Sequence, residues 1–191
     1  MTTGQVKVGR PREFDEGEAL DAAMAVFWAK GYHATSLADL MAATGLAKAS
    51  LYGAFGDKHS LFATVLRRYV DQRVALMAAD LGSSRSPAKA LLSYLRRQAA
   101  EAVGGRGCLS ANVALELLPG DDEIGEIVAR HQQLTRDLIA GALDRMPKAP
   151  PSEVGARFVF AVVEGMWQQG RTLTDPAPLL AAAELTLRAL R

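Results

Sequence analysis

SLADLMAATGLAKASLYGAF, residues 36–55, is the stretch from which the reading of this chain proceeds. Leu37, Leu40 and Met41 recur at the three- and four-residue spacing of one buried helix face, and Leu51 and Phe55 repeat it further on. Between them lies Thr44-Gly45-Leu46. A glycine there can take the positive φ that closes a helix, so the spacing predicts two short helices meeting at an angle. Such a pair is a helix-turn-helix unit.

The unit's start is marked by Ser36, whose hydroxyl can accept from first-turn amides, and by Asp39, whose charge suits a helix N-terminus. The first helix is therefore expected over about 37 to 43. The second carries Lys48, Ser50 and Tyr52 opposite its apolar face. A helix divided in this way can pack on a core while presenting donors outward, and a DNA major groove is wide enough to admit it. A plain helical hairpin with a solvated face would show the same division.

Around this stretch, about residues 9 to 70 resemble the TetR family of one-component transcriptional repressors. The resemblance rests on GRPREF, AVFWAKGYHATSLADL and ATGLAKASLYGAFGDKHSLF. Phe27, Gly31-Tyr32, Thr35-Ser36, Gly45, Leu51-Tyr52, Phe55, Lys58 and Leu61 fall in the family's order. It implies an all-α fold: a three-helix head containing the helix-turn-helix, and a larger helical body that dimerises. Met41 departs from the pattern near the turn, as do Gly53 and Ala54 at the end of the second helix. With few long side chains there, base reading falls on Lys48, Ala49, Ser50 and Tyr52.

The 191 residues, about half of them hydrophobic, suffice for a small head joined to a larger body. We place the boundary near residue 56, giving an N-terminal arm and DNA-binding domain over 1–56 and an effector-binding and dimerisation domain over 57–191. A net charge of +1 excludes a general polycation, so any nucleic-acid contact must come from local charge. Lys7, Arg10 and Arg12 supply it within the first dozen residues, in an arm that either reaches the minor groove or phosphates or is a plain polar tail. No apolar run approaches a membrane span and no secretory signal opens the chain, so a cytoplasmic location without membrane contact is expected. One cysteine and three scattered histidines form no ligand set at metal spacing, so neither metal nor cofactor is expected.

Taken in order, a helix is expected from about 15 to 30, with Phe27 and Trp28 on its apolar stripe, ended by Gly31. Another runs from Lys58 towards Asp80, where Lys58 is either a phosphate ligand beside free amides or an ordinary helix-start lysine. Thr35 and Ser36 are phosphate candidates at the other end of the head, although capping alone would explain them. Beyond the Gly82–Pro87 linker, helices are expected at about 88–103, 108–118, 122–145, 152–171 and 176–190, about nine in all. In the last two, Val154, Phe158, Val162 and Met166, then Leu179, Ala183, Leu187 and Leu190, form stripes expected to meet their copies in a homodimer through about 152–190, the alternative being a monomer that folds them onto its own body.

Cys108 opens a body helix, where the dipole and nearby Arg106 would lower its thiol pKa. The string G-C-L-x-x-N-x-A-x-E-L resembles a branch of the same family that includes sensors of reactive electrophiles. Cys108 is thus a sensor candidate, with a buried, inert thiol as the alternative. Asn112 and Glu116, one and two turns on, would share its face and orient a small-molecule effector in a pocket lined by Tyr94, Phe158, Met166 and Trp167, unless these aromatics only pack.

The expected function is a homodimeric TetR-type repressor released from a palindromic double-stranded operator by an effector or by modification of Cys108. An enzyme using Glu116, His131 and Cys108 is the rival from another class, but no nucleophile-base-orienter spacing and no phosphate loop support it. A DNA-independent dimeric adaptor is the third reading.

Overall fold

The structure, a computed structural model, describes residues 14–191, and within them every regular element is a helix. The head comprises α1 (Glu16–Lys30), α2 (Leu37–Thr44) and α3 (Lys48–Phe55). The body follows with α4 (Lys58–Gly82), α5 (Pro87–Ala102), α6 (Leu109–Leu117), α7 (Asp122–Leu143), α8 (Ser152–Gln169) and α9 (Ala177–Ala189). The fold is thus all-α, as the sequence suggests. None of these helices is long and apolar enough to cross a membrane.

Local chemistry explains the head. Asp15 caps α1 through the Glu18 amide, and Phe27, fully buried, packs edge-on against Phe62 at 4.7 Å between ring centres. Ser36 and Asp39 form a reciprocal capping box at the start of α2. Lys30 beside Asp39, with the Ser36 amide and hydroxyl, holds that carboxyl well below the usual carboxylate range. Gly45 ends α2 in the left-handed region, at φ +69°, and its amide returns to the Met41 carbonyl.

Helix α4 joins head to body, burying Leu61, Phe62, Val65 and Leu66 near one end and Met77 and Leu81 near the other. Its neighbours include α1 and α3 on the head side and α5 and α7 on the body side.

The two C-terminal helices divide their apolar residues differently from expectation. In α9, Leu179, Ala183 and Leu187, with Leu190 just past its end, are buried within the same chain, where α9 packs on α5. In α8 the buried face is Gly155, Ala156, Val159, Val163 and Met166, packed largely on α7. What stays open is a second stripe: Val154 is 62% exposed and Phe158 43% on α8, with Leu185 60% exposed on α9. The α9 stripe is therefore corrected to the exposed side. Helices wedged between a core and a further surface carry two apolar faces, and periodicity alone does not tell which faces inward.

Candidate nucleic-acid interface and ligand cavity

On α3, Leu51 is fully buried and Phe55 meets Phe14 edge-on at 6.2 Å. Anchored by that side, the helix turns Lys48, Ala49 and Ser50 into solvent, while Tyr52 is half-buried against the core. Lys58, at the first turn of α4, sets its ammonium 4.6 Å from the centre of the Tyr32 ring.

Thr35 has to be corrected as a phosphate candidate. It is 1% exposed, and its hydroxyl donates to the Gly31 carbonyl at 2.6 Å, so its hydrogen-bonding capacity is turned inward. Ser36 is exposed, with its hydroxyl engaged by Asp39. Arg10 and Arg12 lie outside the described residues.

Head and body are joined by polar contacts on two sides of the α1–α2 turn. Glu116, from the last turn of α6, accepts the Tyr32 amide at 2.8 Å and the His33 amide at 2.6 Å. Gly31 makes room for it: φ there is +82°, and a Cβ would sit 2.9 Å from a Glu116 carboxylate oxygen. Trp28 donates from its indole nitrogen to the Gly107 carbonyl at 3.0 Å and packs edge-on against Tyr69, fixing the loop before α6 on α1. Within the body, close to the head, His59 in the first turn of α4 meets Asp121, the N-cap of α7, at 2.7 Å.

Inside the body, α4, α5, α7 and α8 line a small, partly open cavity with about 30 Å³ of free space. Arg73, Gln98, Cys108, His131, Glu164 and Trp167 are among its lining residues. Gln98 is 2% exposed, and its carbonyl oxygen accepts from Arg73 and from the Trp167 indole, each at 3.1 Å. Its amide nitrogen has no partner among the described residues. Arg73 also pairs with Glu101 at 2.9 Å. Burial, with Arg73 nearby, pushes the His131 pKa down to about 4, so its neutral form is favoured, and burial pushes the Glu164 carboxyl up. A wider groove between α6, α7 and α8 reaches the same wall from outside, sharing Cys108, Glu164 and Trp167 with the cavity.

The cavity gathers part of the expected effector set. Tyr94, Cys108 and Trp167 line it. Met166 is buried in the core without lining it, and Phe158 faces outward; Phe160, two residues on, takes the expected place. Asn112 and Glu116 do not reach in. Asn112 bridges the Arg106 carbonyl and the Arg171 guanidinium, and Glu116 turns to the head. The Cys108 thiol is corrected in direction: burial, then the Glu164 charge, pushes its pKa up, overriding the helix start, with the Tyr69 hydroxyl 3.4 Å away. Arg106 lies over Trp28 instead of beside the sulfur. Arg73, Gln98 and Glu164 went unread; the available signal was a polar residue on an apolar stripe, as with Gln98 after Leu91, Tyr94 and Leu95.

Residues 19–65 match the family described as "Bacterial regulatory proteins, tetR family". Across 190 residues the chain is 33% identical to the HTH-type transcriptional repressor ComR of Escherichia coli (strain K12), covering 94% of this chain and 90% of the relative. The chain belongs to the TetR family. A second relative, the HTH-type transcriptional repressor BdcR of the same organism, is 27% identical over 194 residues, covering 100% of this chain and 97% of the relative. Among solved TetR-family structures, a cysteine-substituted form of the regulator CifR, in complex with a 26-base-pair operator duplex, superposes with a TM-score of 0.85. It shares 30% identity, over 96% of this chain and 100% of that one.

Proposed function

We propose that the chain is a homodimeric transcriptional repressor that holds operator DNA through α3 and releases it when a small molecule enters the body. The observation that carries the first half is α3 itself: an apolar side sealed against the head and a Lys48–Ser50 side left open at the start of the helix. Helix N-terminal residues are the ones a helix-turn-helix presents to base edges. In this reading Lys48, Ala49, Ser50 and Tyr52 contact bases or adjacent phosphates. Lys58 contributes a phosphate contact through its charge, and Ser36 one at the N-terminus of α2, where a phosphate would compete with Asp39 for its amide and hydroxyl. The division at residue 56 belongs to the same reading, with α4 as the shared strut.

The exposed stripe of Val154, Phe158 and Leu185 supports the dimer. Two copies joined there would set their recognition helices in successive major grooves, about 34 Å apart, on a roughly palindromic site. The unpartnered Gln98 amide supports a bound effector over modification of Cys108, since the thiol is buried and its pKa is raised. An effector acts only by favouring one of two dimer arrangements over the other. The protein binds without turnover and works in the cytoplasm, where its operator lies.

A mobility-shift assay on the DNA flanking the protein's own coding region tests this. Binding by the native chain, lost in Lys48→Ala with the fold intact, is the expected result. Equal binding by both proteins contradicts the assignment of α3.

A further inference from the structure

We infer that the body cavity selects a small uncharged molecule bearing a carbonyl oxygen, which the free N–H groups of Gln98 hold. This rests on the effector reading above and names the ligand's chemistry.

The orientation of Gln98 comes first. Arg73 and the Trp167 indole can only donate hydrogen bonds, and both point at the same atom of Gln98. That atom must be the oxygen, so the amide nitrogen is turned the other way. It is buried and meets no acceptor among the described residues, and Gln98 is one of the residues that line the cavity. A buried donor left unpaired is costly, and a ligand oxygen removes that cost on binding.

Charge narrows the class. Arg73 and Glu164 both stand on the cavity wall, so an ion of either sign drawn to one of them is opposed by the other, and an uncharged ligand avoids that cost. The neutral state favoured at His131 adds no counter-ion for either. A carbonyl oxygen has two lone pairs and no proton to place, so it can accept from Gln98 and keep a second lone pair for another donor, and Tyr94 is among the lining residues that carry one. Tyr69, Phe160 and Trp167 supply the apolar walls, and the small free volume admits only a short carbon chain. The wall shared by Cys108, Glu164 and Trp167 is its route from the outer groove.

Calorimetric titration of the full chain with 2-butanone, beside butyrate and butylammonium as charged comparators, tests this class. The ketone should bind, the comparators should not, and added ketone should weaken the operator shift. Gln98→Glu keeps an acceptor for Arg73 and Trp167 but removes the donor, and should bind the ketone at least about tenfold more weakly. Binding of either comparator as tightly as the ketone, unchanged affinity in Gln98→Glu, or no binding of the ketone at all each overturns the inference. Circular dichroism checks the fold of the variant. Should it not fold, Phe160→Trp, which fills the space from its rim, must lose the ketone, and retention overturns the inference equally. If the ketone binds while the native chain shifts no DNA, the repressor reading fails and the ligand class stands.

Discussion

The Glu116 carboxylate takes the backbone amides of Tyr32 and His33 together, at 2.8 and 2.6 Å, and so fastens the end of α6 to the turn that precedes α2. Two amides on one carboxylate are charge-assisted bonds, stronger than neutral ones. The helix that begins at the cavity wall with Cys108 ends on the DNA-binding head with Glu116.

Removing that carboxylate leaves two amides at the turn without their acceptor. Glu116→Ala should destabilise the chain by roughly 1–2 kcal/mol, since the site is partly open to water. A chain of this size would lose about 2–4 °C in melting temperature per kcal/mol. Hydrogen exchange at the Tyr32 and His33 amides should quicken. Gly31→Ala, strained at positive φ and crowding the carboxylate, should behave similarly, and the double variant should lose less than the sum.

Lys48 lies on the open side of α3, and its contribution to DNA binding should be largely electrostatic. Lys48→Ala should lower the slope of log affinity against log salt by about one and weaken non-cognate and cognate duplexes alike. Titrations at several salt concentrations check this; an unaltered slope would place Lys48 away from the phosphates.

The stripe of Val154, Phe158 and Leu185 should hold two copies together. Val154→Glu combined with Leu185→Glu puts charge on surface that is open in the isolated chain, so the fold should survive. Light scattering should then report a monomer, with operator binding weakened by an order of magnitude or more as paired half-sites are lost. A persistent dimer would move the interface elsewhere.

His131 provides a pH signature. Its folded pKa of about 4 lies below the ordinary 6.5, so between those values the unfolded chain binds a proton that the folded one excludes. Stability is therefore fully present above about pH 6.5 and falls as pH drops towards 4, by on the order of 3 kcal/mol. His131→Gln should flatten that part of the curve in denaturant titrations at stepped pH.

Cys108 should react slowly. With its thiol pKa raised by burial, iodoacetamide at pH 7.5 should modify the native chain at least about tenfold more slowly than the unfolded chain, with the rate rising with pH. Rapid native modification would restore the sensor reading.

The head was legible because its determinants are local. Ser36, Asp39, Gly45 and the Leu37–Leu40 spacing all act within a few residues, and the resulting capping box and left-handed cap form where those residues stand. The cavity was legible in part, since Tyr94, Cys108 and Trp167 reach it. What escaped depends on distant partners: Glu116 meets Tyr32 across 84 positions, and Trp167 meets Gln98 across 69. Spacing on one helix says which residues share a face, but not what that face will meet. The α9 stripe and Phe158 were misplaced for that reason, and the Cys108 thiol was misjudged because burial outweighed the helix start.

Trp28 and Trp167 are the chain's two indoles, and they sit at opposite ends of the connection between cavity and head. One donates to the Gly107 carbonyl at the head junction, and the other to Gln98 in the cavity wall. The protein therefore carries an intrinsic fluorophore at each station, and Trp→Phe replacement of either would leave emission from the other alone. Stopped-flow traces from the two single-tryptophan forms would time the arrival of a ligand separately from the loosening of the head, without any added dye.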